Sequence, residues 1–237
     1  MESMKPIRCF SLIASFALAD AGLPAPTPIS SGHTDIGIGY EEGAFDLHVH
    51  DEENGLEYSP ADALLVVKSQ ALRLSPGGAF SFLGPVGTPV WELPKVQDPE
   101  LLFLGIGAEE LVPSDWTGNI EFSLKAVSGP GNFYLWDTDV FGNPVVKMDS
   151  ANGIGPDDTV SVIPGSHTHL NWGFSAPGVY RISFETVGLN TTDGPEESGP
   201  VVYNFEVVPE PSALALAAVG MGAVMIILRQ RKQGVCV

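Results

Sequence analysis

Basic residues and cysteines are scarce in this chain of 237 residues, which has 11 lysines and arginines and two cysteines. Acidic residues number 29, so the formal net charge is −18. A nucleic-acid-binding surface needs clustered positive charge to displace phosphate counterions, and this composition argues against that class of protein. Charged residues make up only 17% of the chain and hydrophobic residues 44%, a composition that can form a core.

Long helical patterns are missing as well. Glycine (27 residues) and proline (20 residues) make up about a fifth of the chain and favour many short strands joined by turns. Period-two alternation recurs between these turn signals. It predicts strands at 35–40, 44–50, 63–69, 79–83, 101–106, 119–127, 132–136, 145–148, 159–163, 167–174, 179–187 and 201–208. The prediction is an all-β fold, an antiparallel two-sheet sandwich of immunoglobulin-like or related type, over residues 22–208.

One late strand carries a more specific signal. Pro177-Gly178 presets a type II turn, and Tyr180 follows on the strand. Immunoglobulin-like sandwiches place a tyrosine near such a corner and tie the corner down with its hydroxyl. We expect Tyr180 to have this structural role. The polar stretch 189–199 is expected to form a mobile hairpin loop.

The N-terminal segment has the pattern of a secretory signal peptide. Lys5 and Arg8 precede an apolar run at 9–19, which ends in small residues suited to cleavage after Ala19 or Ala21. Residues 1–21 are therefore predicted to be a signal peptide and the protein to be exported.

The C-terminal segment has three features in a fixed order. Pro209-Glu210-Pro211 comes first, the uncharged stretch 213–228 follows, and Arg229, Arg231 and Lys232 end the pattern. As a helix the uncharged stretch would reach ~24 Å, slightly less than a hydrocarbon core of ~30 Å. The basic cluster would hold the last residues in the cytoplasm. The expectation is a transmembrane helix that anchors the exported chain.

This order resembles the PEP-CTERM sorting tail of exopolysaccharide-producing Gram-negative bacteria, over residues 209–237. The resemblance implies cleavage near Pro209-Glu210-Pro211 by a membrane transpeptidase called an exosortase. The product would then reach the cell surface or the extracellular matrix, with exopolysaccharide as a candidate partner.

Removal of both ends would leave residues 22–208 with 26 acidic and six basic residues, a net charge of −20. Cys9 and Cys236 both lie in the removed parts, so the exported domain would have no disulfide. Its stability must come from its core, for which this length is ample.

The histidines carry the clearest chemical signal. Four of the five form two H-x-H pairs, His48/His50 and His167/His169, and the fifth is His33. In both predicted strands the apolar residues alternate with the histidines, so the histidines should face away from the core. Residues two apart on a strand lie ~7 Å apart, and two imidazoles at that spacing can lean onto one ion.

A shared metal site follows if the two strands are neighbours, because the pairs would then supply four nitrogens, and His33 could add a fifth or replace one of them. Sites rich in imidazole suit zinc, copper, nickel or iron. Asp35 or Asp46 could ligate the ion or orient an imidazole. Binding should weaken below roughly pH 6.5, because a protonated imidazole cannot ligate. The alternatives are solvent-exposed strand histidines and a polar hydrogen-bonded cluster at a strand crossing.

The stretch from His167 to Arg181, with its pattern H-x-H-x-N-W…P-G-x-Y, resembles the choice-of-anchor M domain, also found as a repeat in actinobacterial surface-anchored proteins. Gly32-His33-Thr34-Asp35 resembles the start of that family. Members are exported with different anchors, and some are associated with metal-uptake transporters. By analogy, the resemblance implies metal handling at the cell surface.

Two alternatives to metal binding at the surface stay open. One is a structural matrix protein without a ligand, and the other is a metal-dependent enzyme acting on extracellular polysaccharide. The chain has no G-x-S-x-G, H-E-x-x-H or P-loop motif, and no catalytic residue is predicted.

Overall fold

The computed structural model describes residues 25–211. The predicted signal peptide and the predicted helix at 213–228 lie outside this range. Within it, no helix is long and apolar enough to cross a membrane. Pro209, Glu210 and Pro211 follow the last strand and are exposed.

Residues 25–211 form seventeen strands and three short 3-10 helices. The strands are β1 (Thr27–Ile29), β2 (Gly32–Glu41), β3 (Ala44–Asp51), β4 (Leu56–Tyr58), β5 (Ala63–Val67), β6 (Leu72–Leu74), β7 (Pro89–Leu93), β8 (Leu102–Gly107), β9 (Ile120–Ser128), β10 (Phe133–Thr138), β11 (Pro144–Asp149), β12 (Thr159–Val162), β13 (His167–His169), β14 (Asn171–Phe174), β15 (Gly178–Asn190), β16 (Gly194–Glu197) and β17 (Val201–Val207). The 3-10 helices are Ser69–Ala71, Gly78–Leu83 and Pro113–Asp115.

The strands form three sheets. The first has the order β1-β5-β17-β15-β9-β12, with β16 paired to β15. The second, called here the histidine sheet, has the order β13-β8-β2-β3-β4. The third has the order β11-β10-β14-β7-β6. All three contribute to one hydrophobic core.

The all-β prediction is therefore confirmed, but the purely antiparallel two-sheet arrangement is wrong. The pairs β1–β5, β5–β17 and β2–β8 are parallel. Ile36 pairs with Ile106, and the 69 residues between them provide the long crossover that a parallel pair needs. Turn signals reveal the hairpins between successive strands and carry no information on such distant pairings.

Most predicted strands are present, and two departures are instructive. Residues 79–83 form a 3-10 helix, entered through Gly77 and Gly78, both at positive φ. The predicted strand 167–174 is divided at Leu170, so that β13 joins the histidine sheet and β14 the third sheet. Because one short chain segment feeds both sheets, the two are held side by side.

Large aromatic side chains join the layers. Trp172 of β14 donates its indole N–H to the Leu104 carbonyl oxygen of β8 at 3.1 Å. Its ring packs against Phe184 and Phe205 of the first sheet, with centroids 6.1 and 6.2 Å apart. The part of this core beneath the histidine sheet is built from apolar side chains, among them Ile36, Val49 and Ile106.

The corner before β15 is built as predicted. The Tyr180 hydroxyl donates to the Ala176 carbonyl oxygen at 2.8 Å. The polar stretch 189–199 contains the predicted hairpin, since Asn190 pairs with Gly194 where β15 turns into β16.

Candidate metal centre

The register of the histidine sheet places its polar side chains in transverse rows on the face away from the core. One row runs across all five strands. It holds His169, Gly105, Asp35, His50 and Glu57. Directly opposite residues in a sheet have Cβ atoms about 4.5–5.5 Å apart, so their side chains meet.

A second row lies one same-face step along the strands. It holds His167, Gly107, Gly37 and His48. His33, two residues before Asp35 on β2, faces the same side. All five histidines of the chain therefore lie on one face of one sheet.

Glycines make this crowding possible. A Cβ atom on Gly105 would collide with Asp35 Oδ1 and approach His169 Cε1 to 2.9 Å. One on Gly37 would collide with the ring of His48. The missing side chains let neighbouring imidazoles and carboxylates lie flat over strands β8 and β2, where they converge.

Three imidazoles form the first convergence, called here the trihistidine group: His33, His167 and His169. Their ring centroids are 4.9 to 5.7 Å apart, a nearly regular triangle. Each ring offers a nitrogen within 4.8 Å of the other two. Ligands of a tetrahedral zinc lie about 3.4 Å apart, so small side-chain rotations would bring these nitrogens onto one ion.

Acidic side chains lie directly behind these rings. Asp35 Oδ1 is 3.4 Å from His33 Nε2, and a Glu109 carboxylate oxygen contacts His167 Nδ1. Asp35, Glu109 and His167 also offer atoms that all lie within 4.8 Å of one another. Carboxylates in this position hold imidazoles in orientation and increase their basicity as ligands.

The second convergence, called here the mixed group, consists of His48, His50, Glu57 and Glu110, whose ligand atoms also lie within 4.8 Å of one another. His48 Nε2 is 3.1 Å from Glu110 Oε1. The His48 side chain is only 5% exposed, and Glu57 lies directly opposite His50 on β4. Two imidazoles and two carboxylates thus face one another on the β3–β4 side of the histidine sheet.

Burial changes the charge state of two groups. It raises the pKa of Asp35 to about 6, and repulsion from Glu109 and Glu52 acts in the same direction. Burial lowers the pKa of His169 to about 4. The His169 ring also stacks on Phe103, with centroids 3.7 Å apart and planes at 7°. His169 is therefore a neutral, oriented imidazole near neutral pH, which is the state that ligates a metal.

Unpaired polar atoms concentrate at this face. Within residues 25–211, eleven buried side-chain nitrogens and oxygens have no hydrogen-bond partner in the protein, and seven belong to the site. They are His33 Nε2, both carboxylate oxygens of Asp35 and both ring nitrogens of His48 and His169. Leaving a buried polar atom unpaired costs about 1–3 kcal/mol. A cation coordinated by these atoms would remove that cost.

A pocket of about 220 Å³ reaches from the mixed group to Asp35 and Glu109, the acidic residues that contact the trihistidine group. It is lined by Asp35, Gly37, His50, Glu52, Gly107, Glu109 and Glu110. Among the described residues, no lysine or arginine forms an ion pair with an acidic residue of this pocket. The pocket is therefore a concentration of negative charge beside the histidines.

The structure divides the five predicted histidine ligands between two groups. The H-x-H pairs face away from the core as predicted, but they do not lie on neighbouring strands, because β8 and β2 separate β13 from β3. A single cluster of four or five nitrogens was expected only if the two strands were neighbours, and this condition is not met. His33, His167 and His169 meet in one group, and His48 and His50 in another.

His48 faces away from the core but is not exposed to solvent, which argues against the alternative of solvent-exposed histidines at this position. Glu57, Glu109 and Glu110 were missed as candidate ligands. The overlooked signal is Gly-x-Gly on two strands, Gly37-Ile38-Gly39 and Gly105-Ile106-Gly107, where isoleucine faces the core and glycine leaves the outer face free.

No protein-family model, curated protein or solved structure matches the chain. The comparisons identify neither a PEP-CTERM protein nor a choice-of-anchor domain, and both resemblances stay predictions. What the chain does is therefore argued from the residues of the site.

Proposed function

We propose that this protein is exported and binds a transition metal ion through the trihistidine group at the cell surface. The observation that carries the proposal is the meeting of His33, His167 and His169 on one sheet face. Their nitrogens converge within 4.8 Å although more than 130 residues separate the first from the other two. Imidazole-rich sites of this kind suit zinc, copper, nickel or iron.

The electrostatics support capture of a cation. The pocket beside the group carries four carboxyl groups, from Asp35, Glu52, Glu109 and Glu110. The wider domain 22–208 has a net charge of −20. A negative surface around a recessed site raises the local concentration of cations and their rate of arrival.

The geometry gives each nearby residue a role. Asp35 would balance the charge of the ion and hold His33, and Glu109 would hold His167. Phe103 would keep His169 in its present orientation through ring stacking. The ion would supply positive charge beside the carboxylates of Asp35 and Glu109.

Metal binding is tested by measuring the zinc content and zinc affinity of the purified protein. We expect at least one bound ion per chain and its loss in the variant His33→Ala/His167→Ala, both of whose side chains are partly exposed. The matched control is Glu206→Gln on the exposed face of β17. Absence of bound zinc, copper, nickel and iron in the wild type would overturn the proposal, as would unchanged binding in the histidine variant.

Sorting is a separate part of the proposal. The exposed position of Pro209-Glu210-Pro211 directly after β17 leaves the motif accessible to an exosortase-type enzyme. Mass spectrometry of the protein from its native cells should find a C-terminus near these residues. A Glu210→Ala chain should keep its tail and remain in the membrane fraction. Recovery of the intact wild-type chain from the cytoplasm would rule out sorting.

The pocket between the two groups favours a second candidate function, a metal-dependent enzyme. A pocket of about 220 Å³ beside an ion leaves room for water and a small part of a substrate. Its four carboxyl groups would repel an acidic polysaccharide, so this candidate requires a neutral or basic substrate. Hydrolysis of neutral polysaccharides by the zinc-loaded protein, lost in His33→Ala/His167→Ala, would favour the enzyme.

A further inference from the structure

The mixed group lies on the same sheet face as the trihistidine group but shares no ligand with it. His48, His50, Glu57 and Glu110 come from β3, β4 and the turn after β8. The trihistidine group takes its residues from β2 and β13. Two separate sets of candidate ligands are therefore present, and β8 and β2 separate β13 of the first set from β3 of the second.

The His48 side chain shows that the mixed group is more than a cluster of surface charges. It is 95% buried, and neither ring nitrogen has a hydrogen-bond partner among the described residues. Carboxylate oxygens nevertheless lie close to both nitrogens, Asp46 Oδ2 at 3.5 Å from Nδ1 and Glu110 Oε1 at 3.1 Å from Nε2. An ion bound beside Nε2 would be held by this nitrogen and the Glu110 carboxylate together, and Asp46 would orient the ring through Nδ1.

Adjacent glutamates in one turn serve the two groups. Glu109 reaches His167 of the first group and Glu110 reaches His48 of the second. The turn is held in place because Leu111 N–H donates to the Ala108 carbonyl oxygen at 3.1 Å, and Gly165 N–H donates to the same oxygen at 2.8 Å. The outer face of Gly39 accommodates the Glu110 carboxylate, since a Cβ atom there would lie 2.7 Å from Oε2.

We propose that the mixed group is a second metal site, so that each chain binds two divalent ions on the histidine sheet. This inference rests on the proposed function, because it assigns a second ion to the same face. Two carboxylates and two imidazoles form a harder ligand set than three imidazoles. The second site should therefore accept manganese as well as zinc, whereas the trihistidine group should discriminate against manganese.

The four carboxyl groups of the shared pocket make two ions on one face electrostatically acceptable. Without ions, the carboxylates around this pocket of about 220 Å³ repel one another; they belong to Asp35, Glu52, Glu109 and Glu110. Two divalent cations would supply four positive charges beside these four acidic groups. The pocket between the ions is then the position where a small bridging ligand would reach both.

The test is the number of zinc ions per chain in the full-length protein, measured by atomic emission after equilibration with buffered zinc. The informative variant is Glu57→Gln/Glu110→Gln, because both side chains are exposed and their replacement spares the fold. We expect two ions in the wild type, one in this variant, one in His33→Ala/His167→Ala and none when the changes are combined. Glu206→Gln should keep two.

Three results distinguish the two proposals. One ion in the wild type, retained in Glu57→Gln/Glu110→Gln, overturns the second site and leaves the trihistidine site standing. One ion lost in Glu57→Gln/Glu110→Gln but kept in His33→Ala/His167→Ala overturns the proposed function and places the metal in the mixed group. Manganese titration of the His33→Ala/His167→Ala variant should still reach one ion per chain, and its absence contradicts the harder character proposed for the site.

Discussion

His169 lies directly opposite Gly105 in the β13–β8 ladder, with its ring over the position that a Cβ atom would occupy. The same missing side chain admits Asp35 from β2, the strand on the other side of β8. A residue with no side chain thereby brings an imidazole and a carboxylate together across an intervening strand. The site therefore requires the glycine at position 105 as well as its ligands.

Gly105→Ala should disrupt the trihistidine site. The added methyl group would collide with Asp35 Oδ1 and come within 2.9 Å of His169 Cε1, so both groups must shift. We expect an overpacking cost of about 1–3 kcal/mol in the free energy of unfolding and at least a tenfold loss of zinc affinity. Calorimetric zinc titration measures the affinity. Gly155→Ala is the matched control, because no atom lies within 4 Å of its added Cβ; equal affinities in the two variants would refute this role.

Asp35→Asn should stabilise the metal-free protein at alkaline pH and weaken metal binding. Burial raises the pKa of Asp35 from 3.8 to about 6, so between these values the folded protein binds a proton that the unfolded chain releases. The contribution of Asp35 to the free energy of unfolding therefore falls as pH rises from 3.8 to 6. The variant should gain up to about 3 kcal/mol at pH 8 and little at pH 3.5, as urea denaturation in the presence of a chelator would show. Destabilisation at pH 8 would contradict this picture of Asp35.

His169 should act on stability in the opposite direction. Burial lowers its pKa from 6.5 to about 4, so between these values the unfolded chain binds a proton that the folded protein does not. The contribution of His169 to the free energy of unfolding of the metal-free protein therefore falls as pH falls from 6.5 to 4. The ring is half-buried, and solvent screening reduces the effect to roughly 1–2 kcal/mol.

The two contributions oppose each other between pH 4 and 6, so His169 is best measured without Asp35. Urea denaturation of Asp35→Asn should show stability falling with acid over this range. The slope should flatten in Asp35→Asn/His169→Gln, which has no titrating ring at this position. Parallel slopes in the two variants would show that His169 has its ordinary pKa.

Bound metal should stabilise the fold. Zinc at 100 times its dissociation constant adds about 2.7 kcal/mol to the free energy of unfolding for one site. Thermal denaturation should therefore shift upward with zinc and return after chelation. The shift should be smaller in His33→Ala/His167→Ala, which keeps the mixed group, and unchanged in Glu206→Gln. A zinc-dependent shift of the same size in both variants would place the binding elsewhere.

The sequence reveals local features of this site well. Alternation on β3 correctly separates Leu47 and Val49, which are buried in the core, from His48 and His50 on the other face. It fails at strand order, because β8 inserts in parallel beside β2 and no turn signal connects them. Which histidines meet depends on that distant pairing, so the composition of each group could not be predicted.

The glutamates illustrate a second limit. Glu109 and Glu110 are neighbours in sequence, and paired acidic residues usually form solvated loop charge. Their roles become visible only when the turn after β8 is placed over Gly107 and Gly39. Isoleucine between paired glycines was the available signal, since Ile38 and Ile106 are fully buried while the adjacent glycines leave the outer face free.

The central claim is that imidazoles of the trihistidine group hold a metal ion. X-ray absorption fine structure at the zinc edge tests it most directly, using Glu57→Gln/Glu110→Gln so that the trihistidine group supplies the signal. We predict a first shell of nitrogen and oxygen at about 2.0–2.1 Å, with the outer-shell scattering of three imidazole rings. A spectrum without imidazole scattering, or identical spectra from this variant and its His33→Ala/His167→Ala derivative, would contradict the account.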